Sequence, residues 1–222
     1  MYHSIDQWIP EDKYNIYNLR SELFNEQIIF LKETKFNDHL QTIDNVLNSK
    51  NSLHITFDDG CKSILYKASP ILTKYKVPFT VYISPKLIMQ DNEIYLNNRE
   101  LLELSKNKLC TLGTHGYSHL PLTSLNEREV KNEILNSKKW LEDKLGKVIL
   151  HMSYPHGAYN KQIMQIVEDC GFKSAATSNA GSNSQPQDSF ALCRTSILSH
   201  DTISHFSSKL KGNWDWTRLI PT

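Results

Sequence analysis

The sequence predicts an α/β protein in which a parallel sheet of about seven strands curls into a closed or nearly closed barrel, with the functional site at the carboxyl ends of the strands. Three observations lead there. Short apolar runs rich in β-branched residues alternate with segments of helical periodicity over most of the chain, the pattern of strand–helix–strand units. Several of those runs stop abruptly in Asp, His, Gly or Pro, at the positions where such a barrel builds its loops. The 222 residues contain no internal repeat, low-complexity segment or linker, and suit one domain, residues 1–222, whose core needs no staples.

Taken in order, Tyr2 to Leu47 reads as helical after a short start, with Leu23, Ile28, Ile29, Leu31, Ile43 and Leu47 near helical spacing; His3 reads as a structural histidine. Leu53 to Phe57 has the length and β-branched content of a buried strand. Ser63 to Tyr75 is helical, with Pro70 either kinking the helix or opening its second half. Val77 to Ser84 is a strand, Arg99 to Lys106 a helix and Leu109 to Leu112 a short strand, after which Gly113 to His119 forms a loop. The clearest helix runs from Leu125 to Leu145: Ser124 and Glu127 form a capping box, Val130, Ile134, Ser137 and Leu141 mark one face, and Gly146 caps the end. Ile149 to Ser153 is the next strand, ending in the turn Tyr154-Pro155-His156-Gly157; Asn160 then caps a helix through Cys170, which Gly171 ends. Lys173 to Thr177 and Leu192 to Leu198 complete the strands, with a polar loop from Ser178 to Ser189 between them. An amphipathic helix from Thr202 to Leu210 leads to a tail whose Trp214 and Trp216 are expected against the outside of the barrel or an oligomer partner.

Bulk properties narrow the partners. A net charge of +1 gives no electrostatic reason to expect nucleic acid or an acidic membrane surface, and leaves small-molecule or glycan chemistry open. No stretch approaches the length of a transmembrane segment, and Met1 to Asn18 lacks a signal-peptide pattern, so a cytoplasmic location is expected. Cys61, Cys110, Cys170 and Cys193 are scattered without a C-x-x-C pair, and read as small buried hydrophobes rather than disulfide or metal partners. Oligomeric state is left open.

The most informative stretch is Ile55-Thr56-Phe57-Asp58-Asp59-Gly60. Two adjacent carboxylates at the end of a buried strand repel one another, and a bound cation is the simplest shared partner; taken alone, the same residues also make an ordinary Asp-Asp-Gly turn. His115 and His119, leaving another strand, change the balance. Two neutral imidazoles and one carboxylate from Asp58 or Asp59 suit a borderline ion such as zinc and leave a position open. The same set fits a non-haem iron oxygenase, but a second carboxylate beside the ligand serves a hydrolase, which needs a base next to its metal.

In combination these residues resemble the polysaccharide deacetylases of carbohydrate esterase family 4. The resemblance runs from Tyr2-His3 through T-F-D-D-G, H-x-x-x-H and the Y-P-x-G turn to the terminal helix. It implies a distorted (β/α) barrel, Asp58 as catalytic base, Asp59, His115 and His119 as metal ligands, Ser118 as a residue orienting a ligand, and the amide of His156 in the Pro155-His156-Gly157 turn as an oxyanion donor. A divalent ion is implied, zinc first, with Co2+, Ni2+ or Fe2+ as alternatives. Three departures stand out. The family's third-motif arginine is replaced by Ser153, and Arg194 is expected to take over its partnership with Asp58. A Trp-containing fourth motif is absent between Gly171 and Ala191. The fifth motif is approximated by Ile197-Leu198-Ser199-His200, which makes His200 the leading candidate for the general acid and His156 the second. Tyr117, Tyr154 and Tyr159, with Pro155 and Gly157, lie where a sugar would bind, although each tyrosine equally fits a core role. The implied activity is removal of an N-acetyl, or secondarily a formyl or O-acetyl, group from an amino sugar or glycan intermediate. A carbohydrate-binding protein that keeps the fold without catalysis is the alternative.

Overall fold

A computed structural model of the chain describes residues 1–10, 12–183 and 187–219, without the side chains of 218 and 219. Residues 184–186, part of the loop expected over Ser178–Ser189, lie outside the described residues. The elements in order are β1 (Ser4–Ile5), β2 (Asn18–Leu19), α1 (Ser21–Glu33), α2 (Ile43–Val46), β3 (Ile55–Phe57), α3 (Ser69–Lys74), β4 (Phe79–Ile83), α4 (Pro85–Ile88), α5 (Asn98–Leu104), β5 (Cys110–Thr114), α6 (Glu127–Leu145), β6 (His151–Ser153), α7 (Lys161–Asp169), β7 (Ser174–Ala176) and α8 (Ile203–Leu210). Strands β3 to β7 form one parallel sheet in sequence order, and β1 and β2 pair separately.

The expected barrel is thus a curled five-stranded sheet whose ends are drawn together by single bridges. Tyr2 bridges Phe57 on one edge and Leu192 bridges Ala176 on the other, and the Ile197 N–H reaches the Met1 carbonyl at 2.9 Å. The strand expected over Leu192–Leu198 is reduced to that one bridge. Its backbone is drawn elsewhere: the Arg194 N–H goes to Asn179 and the Ser196 carbonyl accepts from Lys209 Nζ. The first residues, read as leading into helix, instead form β1 and β2, because Ile5 and Leu19 are fully buried and Asp12 closes the intervening loop by accepting from the Ile16 and Tyr17 N–H groups.

Strand alternation separates two interiors. Ile55, Phe57, Phe79, Val81, Ile83 and Met152 face the helices and form the apolar core with Phe24, Ile28, Leu72, Leu101 and Ile134. Each such buried side chain contributes about 1.5–3 kcal/mol relative to exposure. The register places Thr56 beside Thr80 and Tyr82 beside Gly113 on the opposite, concave face, which also carries Asp58, His151 and Ser153 and is predominantly polar. Gly113, assigned to a loop by sequence, lies inside β5, where its missing side chain makes room for Tyr82.

Local signals account for most helices. In the Ser63–Tyr75 segment the first turn is wide, with the Ser69 N–H on the Ile64 carbonyl, and Pro70 then sits in the first turn of α3, where it needs no partner for a missing N–H. The cap of α6 is Asn126 with Glu129 rather than Ser124 with Glu127; the Ser124 hydroxyl donates to the Pro121 carbonyl instead. Gly146 ends that helix in the left-handed conformation as expected. Trp214 packs over Lys209 beside α8, and Trp216 is exposed. No described helix is long and apolar enough to cross a membrane.

Candidate active site

The carboxyl ends of β3, β5 and β6 converge. At the end of β3 the chain turns sharply, with Asp59 at φ 68° and Gly60 at φ 78°, so the two neighbouring carboxylates are aimed differently. Asp58 continues the alternation of β3 into the concave interior. Asp59 swings toward the loop after β5.

That loop is held from two sides. The His115 N–H donates to the Ile83 carbonyl and Ser84 Oγ donates to the His115 carbonyl at 2.6 Å. Glu133, on α6, accepts from the N–H groups of Tyr117 and Ser118 at 2.9 and 2.8 Å, fixing the turn that brings His119 back at φ 58°. Sequence reading passed over Glu133, which looked like one more polar residue on an exposed helix face. His115 Nδ1 lies 2.9 Å from the Ser153 carbonyl. A carbonyl only accepts, so Nδ1 carries the proton and Nε2 presents its lone pair to the site. His115 Nε2 stands 3.5 Å and His119 Nε2 3.1 Å from Asp59 Oδ1.

These three residues offer one ligand atom each within 4.8 Å of one another. Asp59 Oδ1 is buried and receives no well-formed hydrogen bond, and the donor set of two imidazole nitrogens and one carboxylate oxygen suits zinc or a similar divalent ion. The residues therefore fit a metal. Burial would raise the Asp59 carboxyl, but His119, with His3 and His115, brings it down to about 2. Burial lowers His115 to about 4, so its ring is neutral near pH 7, the form a ligand requires.

Asp58 is held differently. Arg194 Nη1 donates to Asp58 Oδ1 at 2.7 Å and Nη2 to Oδ2 at 2.8 Å, a bidentate pair whose partners are 8% and 3% exposed. Ser153 lies between them, donating from Oγ to Asp58 Oδ2 at 3.3 Å and accepting from Arg194 Nη2 at 2.7 Å. A serine at 153 leaves space for a guanidinium arriving from the other edge of the sheet. Burial works to raise the Asp58 carboxyl, yet Arg194 and then His115 hold it well below the ordinary carboxylate range.

The remaining expected residues divide. His156 sits in the turn after β6 at φ 57°, its ring 4.6 Å from that of His119 and its Nε2–H donating to the His119 carbonyl. The N–H groups of Gly157 and Ala158 close this turn onto Tyr154 and Pro155, and the His156 N–H takes no part in that pairing. Tyr117 is half-buried in the histidine loop. Pro155 is buried against Gly116, and Gly157, at φ 66°, fits closely beside Ser178. Tyr154 is a core residue, not a sugar platform: it is fully buried, stacked on Tyr159 at 5.1 Å, with its hydroxyl donating to the Phe190 carbonyl. His200 is exposed in the turn between Leu198 and Asp201, and none of the described contacts links it to the cluster.

His3 takes its place beside the carboxylates. Its Nδ1 is buried without a hydrogen-bond partner, its ring lies 4.3 Å from that of Tyr17, and burial lowers its pKa against the pull of Asp59 and Asp58. The Tyr2–Phe57 bridge brings it there, next to the end of β3.

Comparisons with known proteins bear on the family and the fold. The family model described as polysaccharide deacetylase matches residues 46–175. YxkH of Bacillus subtilis (strain 168), whose name places it provisionally among polysaccharide deacetylases, is 26% identical over 164 residues, covering 74% of this chain and 58% of that protein. The poly-beta-1,6-N-acetyl-D-glucosamine N-deacetylase of Staphylococcus aureus (strain MRSA252) is 25% identical over 174 residues, covering 73% of this chain and 60% of that one. The chain thus spans about six tenths of the length of these relatives. In fold, it matches the deacetylase PplD of Streptococcus pyogenes, solved in complex with acetate, with a TM-score of 0.82 at 23% identity, covering 95% of this chain and 96% of that one. IcaB from Ammonifex degensii matches with a TM-score of 0.72 at 20% identity, covering 95% of each chain. With the family model spanning more than half of the sequence and the same curled sheet in both structures, the chain belongs to the polysaccharide deacetylases of carbohydrate esterase family 4.

Proposed function

We propose that this chain is a metal-dependent N-deacetylase acting on acetylated amino-sugar residues of a glycan. The observation that carries the reading is the division of labour between two adjacent carboxylates: Asp59 converges with His115 and His119, while Asp58 is gripped by Arg194 and Ser153 a few ångströms away. Asp59 Oδ1, His115 Nε2 and His119 Nε2 would hold a divalent ion, zinc first among candidates, which supplies Lewis acidity toward the acyl oxygen and lowers the pKa of water.

The protein's own groups do the rest. Asp58, kept ionised by Arg194, accepts the proton of the attacking water as it adds to the acyl carbonyl. The His156 N–H faces the charge that develops on the acyl oxygen. His3, whose ring stands beside Asp58 and Asp59, is placed to relay the proton that Asp58 takes from water to the departing amine, whereas His200 is exposed and away from the cluster. Tyr117 and the Pro155–Gly157 turn border the space where the sugar would lie. The polymer named for the Staphylococcus aureus relative, poly-beta-1,6-N-acetyl-D-glucosamine, is the first substrate to test.

The test is acetate release from that polymer and from shorter N-acetylated amino sugars. The reading predicts release that a chelator abolishes, added zinc or cobalt restores, and Asp58→Asn eliminates. A reconstituted protein that binds these sugars without releasing acetate would favour a non-catalytic carbohydrate-binding role.

A further inference from the structure

The concave face of the sheet holds one large aromatic ring behind the Asp58–Arg194 pair. Tyr82, on β4, is fully buried, and the Arg194 Cζ lies 5.5 Å from the centre of its ring. Space for the ring comes from its register partner: a Cβ at Gly113 would stand 2.7 Å from Tyr82 Cδ1 and 2.6 Å from the His151 carbonyl oxygen. The Tyr82 hydroxyl has no hydrogen-bond partner among the described residues, so the site uses the ring and not its polar tip.

Arg194 has no in-plane donor to spare. Its Nε donates to the Thr177 carbonyl, Nη1 to Thr56 Oγ1 and Asp58 Oδ1, and Nη2 to Asp58 Oδ2 and Ser153 Oγ. A guanidinium carries five N–H groups, and these five bonds use them all. What remains is its two flat faces. A guanidinium face over an aromatic ring is attracted by the ring quadrupole, more strongly where water is excluded, and an ammonium does not reproduce the stacking.

We propose that Tyr82 is a positioning residue for deacetylation: through its ring face, in space that Gly113 provides, it fixes the plane from which the Arg194 guanidinium grips Asp58. The catalytic half of this inference rests on the reading of Asp58 as base. The structural half does not. Rotation of the guanidinium would break both bonds to Asp58 together, and the attraction of the ring beneath Cζ opposes it.

The experiment compares Tyr82→Phe and Tyr82→Leu, each alone and combined with Arg194→Met, by steady-state kinetics and by urea unfolding of the metal-free protein. Tyr82→Phe keeps the ring and should retain kcat and KM within about twofold, since the lost hydroxyl has no partner. Tyr82→Leu keeps apolar bulk without a π face and should lower kcat about tenfold, leaving KM and zinc affinity unchanged. In unfolding, Tyr82→Leu should cost about tenfold more in the equilibrium constant when Arg194 is present than in the Arg194→Met background. Should Arg194→Met not fold, Arg194→Lys replaces it, with a reduced but measurable coupling expected. Equal losses in both backgrounds, or an equal loss from Phe and Leu, would overturn the proposal by reducing Tyr82 to packing. If Asp58→Asn left activity intact, the base assignment would fail while the unfolding cycle still reported on the Tyr82–Arg194 contact.

Discussion

Arg194→Ala is the substitution whose consequences the structure specifies most fully. The two carboxylate oxygens of Asp58, a residue 3% exposed in the native protein, would lose donors at 2.7 and 2.8 Å and keep Ser153 Oγ, 3.3 Å away, as a weak substitute. Breaking a buried ion pair by removing one partner costs about 3–5 kcal/mol, most of it the penalty of the uncompensated charge. The protein can escape part of that by protonating Asp58. In the native protein burial works to raise the Asp58 pKa, and Arg194, with His115 and His3, together outweighs it and keeps the pKa below its ordinary value, so the stability this contributes is present above about pH 4 and lost only as pH falls through the depressed folded-state value. Without Arg194 burial acts unopposed by its main counterweight, the folded-state pKa rises, and the sign reverses: stability then falls as pH rises above about 4 toward the new value. As its pKa rises and its anchor is lost, Asp58 accepts a proton less readily, so the pH profile of kcat should move upward and kcat should fall at least about a hundredfold at pH 7. Urea unfolding at pH 5 and pH 7, with acetate release followed over the same range, measures both effects. A variant that loses under 1 kcal/mol and keeps kcat within about twofold at pH 7 would refute the reasoning.

Three further outcomes follow from the geometry. Asp59→Asn, His115→Ala and His119→Ala should each weaken zinc binding to the metal-free protein by at least about a hundredfold, measured by competition with a chromogenic chelator, whereas Asp58→Asn should leave zinc affinity within a few fold. His3→Ala should lower kcat by about 10²–10⁴ and His200→Ala should have little effect; the reverse ranking in steady-state kinetics would return the general acid to His200. His54 and His115 are both held by burial at about 4, below the ordinary histidine value, so the unfolded chain takes up protons that the folded one refuses. Stability of the metal-free protein should therefore fall between pH 6.5 and 4, by roughly 2–3 kcal/mol at most for each histidine. His54→Gln should flatten that slope in urea titrations, and a pH-independent stability across this window would contradict the assignment.

The candidate site was legible in the sequence because its residues sit at strand ends, where local pattern and unusual residue type coincide. Asp58-Asp59-Gly60 follows a run too short and apolar to be anything but a buried strand, and His115 and His119 follow another. Arg194 comes from the resemblance: the family's third-motif arginine is missing at Ser153, and Arg194 supplies the cation that pairs with Asp58. What escaped depended on contacts distant along the chain. His3, read as structural although the resemblance begins at Tyr2-His3, reaches the site through the pairing of Tyr2 with Phe57, a contact distant along the chain. Gly113 looked like a loop glycine because its reason for being glycine is Tyr82, thirty-one positions earlier on the neighbouring strand. Tyr154 resembled a sugar platform until alternation along β6 put it on the helix-facing side. The segment from Leu192 to Leu198 resembled a strand, but beyond the bridge of Leu192 to β7 its backbone partners lie in loops and in α8, and composition carries no record of that.

The central claim is that one ion is bound by Asp59 and the two histidines while Asp58 stays free to act on water. Crystals of the zinc-loaded protein, with anomalous data at the zinc edge, test it directly. The account predicts a single site with Asp59 Oδ1, His115 Nε2 and His119 Nε2 at about 2.0–2.2 Å, and Asp58 still paired with Arg194. An ion coordinated by Asp58, or found away from these side chains, would contradict it.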